Sequence, residues 1–242
     1  MFLLFIGVFA VAMALQAQRI AAERDLAERE RQRAQKVSNV ALNVFSIADP
    51  FQNAGNDVSG PALLNQAAKS IERELTDQPE ARARLLQAIG RAYVRRGDFR
   101  SSIDYLKEAS RVLTQVQGAE REALMATIDL SAALRISGDL RGAREALAIG
   151  DQIAKRSALQ RTSVYAKLLL NRGRIEVTES RITDARTDIQ RSLRLFQETA
   201  GPSTVEVAEA LAELAQIFIW TDDYALAERT VRAAIKIFDR TV

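Results

Sequence analysis

The nearest approach to a catalytic constellation in this 242-residue chain is a pair of adjacent carboxylates, Asp222 and Asp223, in "WTDDY". Two neighbouring carboxylates can divide general acid and base work between them. These two, however, stand in a turn between apolar helical stretches, and Asp is common in turns because it bonds its own backbone. The sequence has no His and no Cys. That excludes thiol nucleophiles, disulfides and zinc sites built on those ligands. No glycine-rich phosphate loop is present. No catalytic, metal-binding or cofactor-binding residue is therefore expected, and no cofactor. A second polar pair, Arg172 and Glu176, lies at i,i+4 where the surrounding pattern calls for apolar residues. The two side chains could pair with each other, or the helix could be rotated there.

The elements around these residues are read as helices. Hydrophobic content is 48%, with 40 Ala, 11 Gly and only 4 Pro. Much Ala and few breakers favour helix, since Ala has the best helix propensity and Gly and Pro the worst. Net charge is +3, from 34 basic and 31 acidic residues. A balance so near neutral makes no case for nucleic-acid binding. From residue 8 to 48 there is neither Gly nor Pro. One helix of roughly 60 Å could run through that stretch. It begins apolar ("MFLLFIGVFAVAMAL") and turns polar all round in "AAERDLAERERQRAQK". Arg24–Glu28 and Asp25–Arg29 there are i,i+4 pairs suited to an exposed single helix. An amphipathic helix follows over 37–49, stopped by Asp49–Pro50. Then come a loop in "FQNAGNDVSGP" and a helix in "ALLNQAAKSIERELTDQP".

After Pro79 the pattern repeats. The turn-like spots "RRGDF", "ISGDL", "TESRI" and "WTDDY" place Phe99, Leu140, Ile182 and Tyr224 at separations of 41, 42 and 42. A fixed period of this size signals a solenoid. Nine positions before each of these residues stands a small one: Gly90, Ser131, Gly173, Ala215. Three positions after stands another: Ser102, Ala143, Ala185, Ala227. Ten after stands a third: Ala109, Gly150, Ser192, Ala234. Two antiparallel helices approach closely only where facing side chains are small, and Leu86, Ile89, Tyr93 and Leu106 then fill the gaps in the first unit.

These residues resemble the tetratricopeptide repeat (TPR), a helix pair with small residues at three fixed positions. The units here are longer than the usual member's. The resemblance implies an all-α fold, a TPR-like solenoid of four helix pairs at about 80–118, 119–159, 160–201 and 202–242, with a cap over 37–78. A Ser203–Glu206 capping box is expected to start the last pair. The resemblance also implies a concave groove lined by the first helix of each pair. Its candidate residues are Arg84, Gln87, Arg91, Val94, Ile128, Arg135, Lys167, Leu170, Arg174 and Gln216. A basic rim with apolar patches would suit an acidic or C-terminal peptide, because Arg binds carboxylates bidentately. A solvated helix face with ordinary charges is the alternative. The apolar flank of the last unit, including Ile235 and Phe238, could self-associate.

A second resemblance covers the run from "RAQKV" to "RRGDF". With Ala48–Pro50, Ile71–Leu75, Pro79, Leu85–Leu86 and Ile89–Gly90, it is similar to the region after the transmembrane helix in bacterial membrane-anchored serine/threonine protein kinases with C-terminal TPRs. No kinase motif is present. The resemblance implies a non-enzymatic, membrane-tethered interaction module, the sensor or scaffold part of a kinase-type receptor. Residues 1–18 are then a transmembrane helix that begins upstream of Met1, and 19–36 a charged stalk. The protein would be single-pass in the inner membrane, with periplasmic repeats. The six basic residues from Arg19 to Lys36 would instead place them in the cytoplasm. A soluble or secreted adaptor with a signal peptide, and the tail of a TPR-containing transcriptional regulator, are the alternatives.

Overall fold

The computed structural model describes residues 60–241 and 30–41, together with positions 13, 16, 18–20, 23–24 and 27–28. The chain divides into two compact units, Met1–Ala81 and Arg82–Val242. The stop at Asp49–Pro50 and the loop after it lie outside the described residues.

In the first unit, every described residue before 42 is helical. Gln32 donates to Glu28 at 3.2 Å and Gln35 to Asn39 at 3.0 Å, the i,i+4 spacing of a helix face. Helix α1, Gly60–Glu74, carries Ala67, Ala68 and Ile71 to a buried face that Leu75 extends. Val40 is also buried. Lys36 pairs with Asp77 at 2.6 Å, and the bond holds the Asp77 carboxyl below its usual range.

The expectation of a single-pass membrane protein needs correction. Among the described residues no helix is long and apolar enough to cross a membrane. The apolar stretch that prompted it, residues 1–15, lies outside the described residues except for Met13.

The second unit is built from helices throughout its described length. They are α2 (Pro79–Arg95, whose first residues belong to the preceding unit), α3 (Phe99–Leu113), α4 (Glu120–Ser137), α5 (Leu140–Arg156), α6 (Ser163–Thr178), α7 (Ile182–Ala200), α8 (Val205–Trp220) and α9 (Tyr224–Thr241). A short 3-10 turn, Leu159–Arg161, precedes α6. Tight turns make α4/α5, α6/α7 and α8/α9 closely packed neighbours, and α4 also lies against α6.

All twelve small positions are buried. They set how closely the helices approach. A Cβ on Gly90 would lie 2.6 Å from Leu106 Cγ, and one on Gly173 would lie 2.5 Å from Ile189 Cγ1. Around them Leu86, Leu106, Leu124, Leu168, Phe196 and Ile217 are fully buried. Tyr93 stacks on Tyr105 with ring centroids 5.7 Å apart.

The turns repeat as well. Gly97, Gly138, Ser180 and Asp222 all have positive φ, at 79°, 92°, 60° and 59°. The next residue caps the following helix in three of the four turns: Asp98 accepts from Ser101 N–H, Asp139 from Gly142 N–H and Asp223 from Leu226 N–H. Asp222 and Asp223 thus do turn work. At the third turn the cap position is Arg181, which makes no side-chain cap bond.

Two local expectations shift. Helix α8 is capped by Thr204, not Ser203: the Thr204 backbone is extended, and its hydroxyl accepts from Val207 N–H. Arg172 does not pair with Glu176. Its Nε and Nη2 grip the Asp188 carboxylate across the α6/α7 contact, with Nη2–Oδ1 at 2.7 Å. At the other end, Val231 and Ile235 on α9 are exposed and Phe238 is half-buried.

Candidate functional site

The face that α2, α4, α6 and α8 present carries the residues expected to line a groove. Their amphipathic pattern buries one side against the paired helix and leaves long polar side chains on the other. Three of the ten are not presented to a ligand: Gln87, Ile128 and Leu170 are 4%, 6% and 2% exposed. Val94 is half-buried and Gln216 is exposed.

The basic residues are brought into a ladder that links neighbouring repeats. Arg84 on α2 reaches Glu122 on α4 at 3.1 Å. Arg91 stands 3.7 Å from Asp129, which also accepts from Gln87 at 2.6 Å. Burial pushes the Asp129 carboxyl upward in pKa, opposed by the Gln87 bond and by Arg91 and Lys167. Lys167 on α6 pairs with Glu206 on α8 at 3.2 Å. Arg174 holds Glu213 at 2.7 Å and stands 3.6 Å from Glu209.

The acids Glu122, Asp129, Glu206 and Glu213 are partners of these cations that reading one helix at a time does not find. They are visible once successive first helices are aligned, because each stands one repeat, less about one helical turn, beyond its basic partner. These pairs are partly exposed, so each contributes little stability. Together they take up the charge that a free basic groove would offer.

Arg135 breaks the ladder. The residue standing where its acid should be, one repeat on, is Arg174. Among the described residues Arg135 makes no ion pair, and its Nε is buried without a hydrogen-bond partner. Burial, and then the Arg174 charge, push its pKa down, with Glu213 opposing. A half-buried guanidinium without an anion is unfavourable, and an incoming carboxylate would relieve it. Among the described residues no group of three or more acids could hold a metal ion.

No protein-family model matches the chain, and no curated protein matches it. Solved structures do. BtubC from P. vanneervenii superposes with a TM-score of 0.61 over 86% of this chain and 91% of its own, at 13% identity. A signal transduction ATPase with a tetratricopeptide repeat sensor, from Pyrococcus horikoshii, does so with 0.57 over 75% of this chain and 26% of its own, at 18% identity. The APC/C hetero-tetramer Cut9–Hcn1 gives 0.55 over 72% and 30%, at 16% identity. The fold is a TPR-like α-solenoid.

Proposed function

We propose that the chain is a non-catalytic TPR-type protein-interaction module whose α2/α4/α6/α8 face takes an extended segment of a protein partner. A carboxylate of that segment, from an acidic side chain or a C-terminus, binds Arg135. The single observation that carries this reading is that, among the described residues, Arg135 is the one of the five cations expected around the groove that makes no ion pair. Cut9–Hcn1, a neighbour in fold, is by its name an assembly of protein chains.

Two settings fit such a module. The sequence resemblance to kinase tails supports the sensor or scaffold part of a serine/threonine kinase-type receptor. The likeness to BtubC, which this chain covers over 91% of its length, supports a free-standing adaptor better, because repeats of this kind then account for nearly a whole protein.

The test is selection of peptides from a display library on the full chain, followed by fluorescence anisotropy. Selected peptides are expected to share an acidic residue or a free C-terminus. Arg135→Gln should weaken them by at least about tenfold, the scale of one charged hydrogen-bonded contact. Peptides without a shared carboxylate, or equal binding to Arg135→Gln, would overturn the reading.

A further inference from the structure

A cavity of about 300 Å3 opens between α5 and α6 beside the turn that carries Arg181. Leu147, Ala148 and Ile175 form its apolar wall. Small-molecule sites begin at roughly this size. Glu176 lines it with 6% of its surface exposed, and its Oε2 is buried with no hydrogen-bond partner. A buried carboxyl oxygen left in that state is costly unless a donor reaches it.

The charges around the cavity show what kind of donor is missing. Arg172 grips Asp188, Arg144 and Arg181 converge on Glu179 at 2.7 and 2.8 Å, and Lys155 holds Asp151 at 2.5 Å. Arg181 also stands 3.8 Å from Asp184 and 3.8 Å from Glu176 Oε1. Glu179, Asp188 and Asp151 thus take these four cations at close range; Asp184 keeps 62% of its side chain open to water, and Glu176, buried, is left with Arg181 at 3.8 Å. Arg191, nearby, stands over the Tyr165 ring and pairs with none of these. Although Arg144, Arg172 and Arg181 also line the cavity, each is engaged more closely by another acid, and Glu176 is the buried carboxyl without a close donor.

We propose that this cavity binds a small organic cation, an alkylammonium with a short apolar stem, whose N–H groups donate to Glu176 Oε2 while the stem lies on Leu147 and Ile175. The proton is its competitor. Burial and Asp188, with a smaller part from Asp184, raise the Glu176 pKa from 4.5 to about 7, against Arg181 and Arg172. Below neutrality the proton neutralises Glu176. Above it the cation does, so its affinity rises with pH. The ammonium could come from a free amine or from the lysine side chain of a protein. The site is independent of Arg135 and of the peptide-binding reading.

The experiment is calorimetric titration of the full chain with n-butylammonium at fixed ionic strength, at pH 6 and pH 8. n-Butanol and butyrate serve as controls. Saturable binding of butylammonium is expected, about tenfold tighter at pH 8 than at pH 6 and accompanied by proton release at the lower pH. Glu176→Gln should abolish it. Ala148→Phe, at an exposed position on the wall, should block it while leaving Glu176 in place, and Arg135→Gln should leave it unchanged. N-acetyl-lysine methylamide tells the two sources apart: binding assigns a lysine side chain, and exclusion with butylammonium still bound assigns a free amine. Equal affinity at the two pH values, binding retained by Glu176→Gln, butanol binding as well as butylammonium, or no saturable binding would each overturn the proposal.

Discussion

The second and third helix pairs share a backbone and differ in what they place on it. In α4/α5 the turn uses Gly138 for its positive φ, Asp139 caps the next helix, and Leu124 and Leu147 fill the contact. In α6/α7 the same turn holds Ser180 at φ 60°, Arg181 stands uncapping in place of the Asp, and Glu176 and Asp188 are buried with the half-buried Arg172 beside them. The small residues that set helix approach, Ser131 and Gly173, stay buried in both. Repeat geometry is thus held by the small positions and the turn conformation. The third pair gives up the favourable turn residue and the cap, and sets a polar cluster beside an apolar contact that it keeps in Leu168, Ile175, Ile189 and Phe196. Such local rule-breaking concentrates at functional or strained places, and here it surrounds one cavity.

The largest test of this contrast is titration. Folding raises the Glu176 pKa from 4.5 to about 7, so the folded state holds the proton more tightly than the unfolded one. The resulting stability is full below about pH 4.5, declines as pH rises, and is gone above about 7. A shift of this size corresponds to about 3 kcal/mol. Chemical denaturation of the wild type against Glu176→Gln, at pH 5 and pH 8, should show the wild type losing stability relative to the variant over that interval. Parallel curves would mean that the third pair carries no titrating interior. The carboxyls whose pKa is held low, such as Asp98, Glu108 and Asp151, act on the acid side of this window.

Removing the partner of Arg172 comes next. Asp188→Ala leaves a guanidinium that is about a third exposed without its grip. Breaking a buried pair costs ~3–5 kcal/mol, and the exposure of Arg172 reduces this to about 2–3 kcal/mol. The same change removes the charge that helps to raise Glu176, so the pH window above should move down. A loss of stability without that move would separate Asp188 from the Glu176 cluster.

Much of this was legible in the sequence, and the reasons for the rest are physical. The period is carried by local steric demands, small residues at helix contacts and a turn every 41 or 42 residues, so it survives in the residue types. The Arg172–Glu176 anomaly was visible too, but the partner was not. Asp188 lies on the next helix, and only packing decides whether i,i+4 or cross-helix pairing wins. The ladder acids were missed because a salt link between repeats leaves no mark within one helix. The burial of Gln87, Ile128 and Leu170, expected to face a ligand, depends on how far each neighbouring helix covers them. The orphaned oxygen of Glu176 is a property of burial and has no local signature at all.

Exchanging turn residues between the pairs should give effects of about 1 kcal/mol with opposite sign. Ser180→Gly relieves a left-handed conformation that side chains disfavour by ~1–2 kcal/mol, less what the unfolded chain gains in freedom. Gly138→Ala imposes the same strain on the second pair. Thermal midpoints should rise in the first variant and fall in the second. If both fall, Ser180 is held by something beyond its backbone.

The smallest expected effect lies in the ladder, and it sharpens the contrast between a paired cation and Arg135. Lys167 and Glu206 sit at 3.2 Å with side chains 45% and 36% exposed. A pair so open to water is worth ~0.2–1 kcal/mol. A double-mutant cycle with Lys167→Met and Glu206→Gln should return a coupling energy in that range, shrinking as salt is added. Arg135→Met should behave differently. It removes a half-buried charge that pairs with no acid among the described residues, so stability should hold or rise slightly while binding of carboxylate peptides falls. Were Arg135→Met to destabilise the fold by more than the Lys167–Glu206 coupling, Arg135 would be a structural residue, and the gap in the ladder would carry no ligand.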